Sequence, residues 1–207
     1  MDYHGLTPIQ LDALREVGNI GAGNAATALS QLLNKKIQMS VPSIDIINFQ
    51  DMIDNYAENE AVGVMVRVLG DTPGNILFLL EKGIATDIIE LLTGKHEEEF
   101  SDLGISVLNE LGNIVSTSYM NSIAKFTNMN LLPSVPAMAY DMVGAILSTM
   151  FIEAAQYEDR VLEIKTNFWG ISSLSGEESF VDNIGANFYY VPRPGSLEKI
   201  LTALGVN

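Results

Sequence analysis

The 207-residue sequence predicts an α/β fold of the α+β type: long helices packed on an antiparallel or mixed sheet, with an internal duplication and pseudo-two-fold symmetry. Three observations predict it. Two long stretches of the chain match each other without a gap. Each half presents the same order of opening helix, strands and closing helix. The opening segments carry apolar residues at helical spacing, whereas the later ones are short apolar runs bounded by Gly and Pro.

The first match pairs the stretch starting at Leu14 with the stretch starting at Leu108, an offset of 108 − 14 = 94. Both open on Leu-x-Glu-x-Gly-Asn-Ile and end on Ser-Val-Pro. Downstream, Asn75 matches Asn187 and Gly83 matches Gly195, so the offset has grown to 195 − 83 = 112. The second half therefore carries an insertion of about 18 residues, placed between Met142 and Ile184. The expected organisation is one domain over residues 1–207, built from repeats at about 8–98 and 99–207.

A helix is predicted over Pro8–Leu33, with Thr7 as N-cap and Pro8 in the first turn. Its counterpart is Asp102–Thr127, capped by Ser101-Asp102. Strands are expected over 37–47 and 130–138. Residues 61–69 and 76–80 read as a hairpin around Gly70-Asp71-Thr72-Pro73-Gly74, with counterparts at 160–168 and 187–191. Amphipathic helices over 85–92 and 196–204 close the halves, and the insertion adds a helix over Val143–Ala155 and a Ser-, Gly- and Glu-rich loop over 170–183.

Composition excludes several functions. Hydrophobic residues make up 47% and charged residues 18%, a globular balance. A formal charge of −15 repels nucleic acid and anionic lipid, so neither is an expected partner. The absence of cysteine removes disulfides, thiol nucleophiles and thiolate metal sites, and fits a reducing cytoplasm. The first residues lack the basic start and apolar core of a signal peptide, and no run of about 18 apolar residues suggests a membrane span. A cytoplasmic location is expected.

On a wheel of about 100° per residue, Asp12, Glu16, Asn19 and Gly23 fall within about 60° of one another. Leu14, Val17, Gly21, Ala25, Ala28 and Leu32 take the opposite face, and Gly23 and Ala26 are expected to continue the polar stripe as an open, small-residue surface. The second helix repeats this, with Ser106, Glu110, Asn113 and Thr117 on one face and Leu108, Leu111, Val115, Tyr119 and Phe126 on the other. Polar stripes on helices are usually only solvated. Here, however, asparagine costs up to about 0.7 kcal/mol mid-helix against alanine, and the Glu-x-x-Asn pair recurs at the same phase in both halves.

The pattern Asp/Ser, three residues, Glu, two residues, Asn, twenty-two residues, Pro resembles the signature of the CheC/CheX/FliY family of response-regulator phosphatases in bacterial chemotaxis. Its first copy is Asp12, Glu16, Asn19 and Pro42, and its second is Ser106, Glu110, Asn113 and Pro136, both complete. The resemblance covers essentially the whole chain, with two sites and none of the rotor segments of the larger members. It implies dephosphorylation of the phospho-aspartate of a CheY-type receiver. Asn19 and Asn113 would orient the attacking water, and Glu16 and Glu110 would pair with the receiver's lysine. It also implies binding to the deamidase CheD, and no cofactor of the chain's own, the Mg²⁺ being held by the receiver.

Asp12 and Ser106 either contact the receiver or only cap and solubilise the face. Pro42 and Pro136 are read as structural, each ending or kinking a strand. The apolar residues Val143, Ile146, Leu147 and Met150 of the inserted helix belong either to the core or to a docking face for CheD. The alternative function is a non-catalytic adaptor that docks on receivers, on CheD or on the flagellar switch. His4 and His96 lack metal-ligand spacing. The run Gly18-Asn19-Ile20-Gly21-Ala22-Gly23-Asn24 lies inside a predicted helix with no strand leading into it, so its glycines suit close helix packing rather than phosphate binding. Glu97-Glu98-Glu99 reads as a solvated linker, and Trp169, Tyr189 and Tyr190 as core or edge-strand residues.

Overall fold

The computed structural model of the chain describes residues 6–48, 59–96, 99–155, 160–169 and 186–206. His4, Glu97, Glu98 and the loop predicted over 170–183 lie outside them, as do the side chains of Met150 and Trp169.

The chain runs α1 (Pro8–Leu33), β1 (Gln38–Met39), β2 (Ser43–Asn48), β3 (Glu60–Gly70), β4 (Gly74–Glu81) and α2 (Lys82–Thr93). It continues as α3 (Asp102–Thr127), β5 (Leu131–Pro133), β6 (Ala137–Met142), α4 (Val143–Ala155), β7 (Arg160–Trp169), β8 (Ala186–Pro192) and α5 (Pro194–Ala203).

The two long helices begin and end where their caps dictate. Thr7 and Gln10 form a capping box: the Gln10 amide N–H donates to Thr7 Oγ1 at 3.3 Å, and the Thr7 amide N–H donates to Gln10 Oε1 at 2.9 Å. Ser101 Oγ accepts from the Gly104 amide at 3.1 Å. Asn34 and Asn128 stop the helices in the left-handed conformation, at φ 47° and 54°. With both ends set, the phase of every side chain between them is set too.

The eight strands form one sheet in the order β1-β7-β8-β4-β3-β5, with β2 also on β7 and β6 also on β3. Every pairing is antiparallel, which resolves the antiparallel-or-mixed expectation. The strands that follow each long helix cross over: β1 and β2 pair with β7, whereas β5 and β6 pair with β3. Each single strand expected after a long helix is in fact two, interrupted at Val41-Pro42 and Val135-Pro136, because proline has no N–H for the ladder.

Strand alternation divides the core in two. Val62, Val64, Val66, Ile76, Phe78, Leu80, Phe188 and Tyr190 face α1, α2, α3 and α5. Leu77, Leu79, Tyr189 and Val191 face the opposite side, which α4 covers with Val143, Ile146 and Leu147. Burying each such side chain contributes about 1.5–3 kcal/mol, and β4, sandwiched at the sheet's centre, is buried along nearly its whole length. Of the two readings of the inserted helix, the core reading holds for Val143, Ile146 and Leu147. Tyr189 and Tyr190 are core residues as well.

Candidate active site

Helix α1 buries Leu14, Val17, Gly18 and Gly21, and so presents Asp12, Glu16 and Asn19 outward. Helix α3 does the same through Leu108, Leu111, Gly112 and Val115, presenting Ser106, Glu110 and Asn113. Both glutamates are exposed and both asparagines half-buried. A Glu and an Asn three residues apart thus share one helix face at two places on the surface.

Within each stripe the partners differ. Arg15 pairs with Asp12 at 2.7 Å on the surface of its own helix, a contact of small energetic value. The Ser106 hydroxyl donates back to the Asp102 carbonyl at 2.8 Å. Glu16, Asn19, Glu110 and Asn113 make no side-chain hydrogen bond to any other described residue. Their polar groups are left for solvent or for another molecule.

Glycine sets the height of each asparagine. A Cβ on Gly18 would stand 3.3 Å from Ile164 Cγ2, 3.5 Å from Tyr119 Oη and 3.6 Å from Pro42 Cβ. A Cβ on Gly112 would stand 2.4 Å from Val64 Cγ1. The residue before each asparagine is therefore pressed against the sheet, and only glycine fits at Gly112 without displacement. Pro42 is buried under α1, whereas Pro136 is half-buried. Tyr119 lies beneath Gly18, wholly buried against Phe188 and Tyr190. Burial first, then the neighbouring Tyr190, pushes its hydroxyl far above the ordinary range, so it is a neutral packing group.

The helices meet each other further along. A Cβ on Gly21 would collide with the Tyr119 ring at 2.6 Å, and Asn24 Nδ2 donates to Ser122 Oγ at 2.8 Å. Gly18 and Gly21 thus serve close packing, as expected, whereas a Cβ on Gly23 would meet only Met39 Cε at 3.9 Å. This second contact turns the buried face along both helices, which corrects two expectations. Ala26 is buried at 7% exposure and does not continue the open stripe, and Phe126 is exposed at 48% while Thr127 takes the inward position. Beside this contact Glu16 and Glu110 stay exposed and Asn19 and Asn113 half-exposed.

Sequence reasoning missed the serine of Ser-Val-Pro. The Ser40 amide donates to the Asn167 carbonyl at 2.9 Å, and Ser40 Oγ accepts from the Asn167 amide at 3.1 Å. Ser134 does the same with Arg67, at 2.9 Å in both directions. The signal was visible as a tripeptide shared by both halves, but its role depends on a strand partner that the pattern does not name. Among the described residues no group of three or more His, Cys, Asp or Glu could hold a metal ion, and His96 is bonded to Glu90 at 2.7 Å.

A profile described as the CheC-like family matches residues 9–46 and 103–140. The chain is 34% identical over 212 residues to the CheY-P phosphatase CheC of Bacillus subtilis, covering 99% of this chain and 98% of that one. Among solved structures it is similar to Thermotoga maritima FliY, with a TM-score of 0.74, 21% identity and coverage of 97% and 98%. It is also similar to the FliM middle domain of H. pylori, with a TM-score of 0.63, 14% identity and coverage of 96% and 99%. These two structures share the fold. No helix among the described residues is long and apolar enough to cross a membrane.

Proposed function

The chain belongs to the CheC-like family, and on that premise we propose that it dephosphorylates the phospho-aspartate of a CheY-type response regulator at two sites, Glu16/Asn19 and Glu110/Asn113. The observation that carries this reading is the pair of outward-facing Glu-Asn couples, at one phase on two helices, with no partner among the described residues. The 94-residue spacing of the two matched segments supports reading them as two copies of one unit, 103 − 9 = 94.

An acyl phosphate is already reactive, and the Mg²⁺ and lysine beside it already offset its charge. Hydrolysis then needs a water held in line with the breaking P–O bond. A carboxamide suits this, because it both donates and accepts hydrogen bonds and brings no charge to repel the phosphoryl oxygens. We assign that role to Asn19 and Asn113. Glu16 and Glu110, one turn earlier on the same face, pair with the receiver's lysine and lay the helix across its cleft. The Mg²⁺ belongs to the receiver, and this chain supplies no cofactor.

The reading is tested by adding the protein to a phosphorylated CheY-type receiver and following phosphate loss. Asn19→Ala and Asn113→Ala should each leave partial activity, and the double variant little. If one single change abolishes turnover, the two-site assignment fails. The fold shared with FliM favours a second reading, a non-catalytic adaptor for receivers or the flagellar switch; binding without phosphate loss would support it.

A complex with CheD is also part of the proposal. Because Val143, Ile146 and Leu147 are turned to the sheet, any contact through α4 would use its exposed side, where Ala145 and Thr149 lie.

A further inference from the structure

Among the described residues, four of the ten exposed large apolar side chains fall at matched places in the two halves. Ile9 is 69% exposed and Leu103 50%; Val41 is 67% exposed and Val135 88%. Each pair is separated by the same 94 residues as the Glu-Asn couples, since 103 − 9 and 135 − 41 both equal 94. Ile9 and Leu103 project from the first turns of α1 and α3, within about 60° of the Glu-Asn face.

Val41 and Val135 are displayed by a built device. Ser40 closes both ladder bonds with Asn167 on a single residue, its hydroxyl standing in for a carbonyl, and Ser134 does so with Arg67. The ladder breaks there, at a proline that has no N–H for it, and resumes only at Ser43 and Ala137. The valine between them has nowhere to go but outward. In the first half its neighbours in sequence meet the helix on either side of the asparagine: Met39 Cε lies 3.9 Å from a Cβ on Gly23, and Pro42 Cβ lies 3.6 Å from a Cβ on Gly18. The stretch from Met39 to Pro42 therefore runs along the turn of α1 that contains Asn19.

We propose that Val41 and Val135, with Ile9 and Leu103, form the apolar rim of each site and dock against the apolar border of the receiver's phosphorylation cleft. The occupant follows from position, since Ile9 and Val41 accompany the first Glu-Asn couple and Leu103 and Val135 recur at the same 94-residue offset with the second; the inference rests on the phosphatase reading above. The rim binds the receiver before and during reaction alike. It sets affinity and partner choice, not the chemical step.

The test uses the full chain carrying Val41→Ser and Val135→Ser together, with Val41→Ile and Val135→Ile as the conservative control. Turnover is measured on a phosphorylated CheY-type receiver, and binding by calorimetry on the same receiver activated with beryllofluoride. The serine variant should raise KM and Kd roughly tenfold with kcat within about twofold, and the isoleucine variant should stay near wild type. Unchanged KM and Kd, or a fall confined to kcat, overturns the rim while leaving the phosphatase intact. If the unsubstituted protein binds the receiver without hydrolysing it and the serine variant binds less, the rim stands and the catalytic reading falls. If the unsubstituted protein neither binds nor hydrolyses, both fall.

Discussion

Gly18 and Gly112 precede the two asparagines, yet alanine should act very differently at each. At Gly112 the new Cβ would lie 2.4 Å from Val64 Cγ1 and 2.9 Å from Val64 Cβ. Rotating the valine relieves the first contact but not the second, because Cβ is fixed by the strand backbone. Restoring an ordinary carbon–carbon separation of about 3.5–4.0 Å requires α3 to lift by roughly 1 Å. Overpacking of this kind costs about 1–3 kcal/mol, and alanine's better helix propensity returns about 1 kcal/mol. With an immovable neighbour the net loss should reach about 2 kcal/mol, or about 4–8 °C in Tm for a chain of this size. At Gly18 the nearest atom is the Ile164 Cγ2 methyl at 3.3 Å, which can shift slightly, so the two effects cancel and Tm should move by under about 2 °C. Thermal unfolding of Gly18→Ala and Gly112→Ala side by side makes the comparison. The lift should also displace Asn113, so that Gly112→Ala in an Asn19→Ala background loses most of its remaining phosphatase rate, up to about 100-fold for a 1 Å error. Equal destabilisation by the two substitutions would refute the reasoning.

Three further outcomes are expected. In an Asn113→Ala background, Asn19→Ala should lower the single-turnover rate by about 10²–10⁴-fold with little change in receiver binding, whereas Glu16→Ala should appear substantially as weaker binding; the reverse pattern would exchange the two roles. Glu163 lies opposite Asp45 in the β2–β7 ladder, and burial, only partly offset by Lys165 and reinforced by Asp45, pushes its carboxyl up to about 7. A raised carboxyl contributes stability that is full below its ordinary value near 4.5 and is lost as pH rises through about 7. Glu163→Gln should therefore gain stability over the parent at pH 8, by up to about 3 kcal/mol, and lose most of that advantage at pH 5, as followed by Tm against pH. Finally, Ala145→Glu and Thr149→Glu on the outer side of α4 should weaken a CheD complex in pull-down or calorimetry with Tm preserved, and a contact mapped wholly outside α4 would remove that helix from the interface.

What could be read from sequence and what could not divide along physical lines. The bounds of α1 and α3 were legible because their ends are set locally, by Thr7, Gln10 and Ser101 at the start and by Asn34 and Asn128 at the stop. The phase of Glu16, Asn19, Glu110 and Asn113 follows from those bounds. The hairpin of β3 with β4 was legible from its Gly- and Pro-bearing turn, but the partners of the other strands were not, because a two-residue period says which face a side chain takes and not which strand lies beside it. The crossing of β2 to β7 and of β6 to β3 is therefore invisible in the pattern, and so is the bracket made by Ser40 and Ser134. Ala26 and Phe126 were misplaced for a related reason. A helical wheel assumes one buried face, whereas the contact of α1 with α3 adds a second that begins partway along.

The crossing of strands between halves also sets a timetable for synthesis. Strand β2 ends at Asn48 and its partner β7 begins at Arg160, 160 − 48 = 112 residues later. At about 5–20 residues per second, the ribosome needs roughly 6–22 s to deliver the partner. During that interval Ser43–Asn48 waits as a short strand with three isoleucines whose mate has not yet been made, open to pairing with another nascent chain. Asp45, in its middle, is then most valuable as a guard against aggregation, although in the finished sheet the same charge sits unfavourably opposite Glu163. A residue that burdens the completed molecule can thus protect the unfinished one.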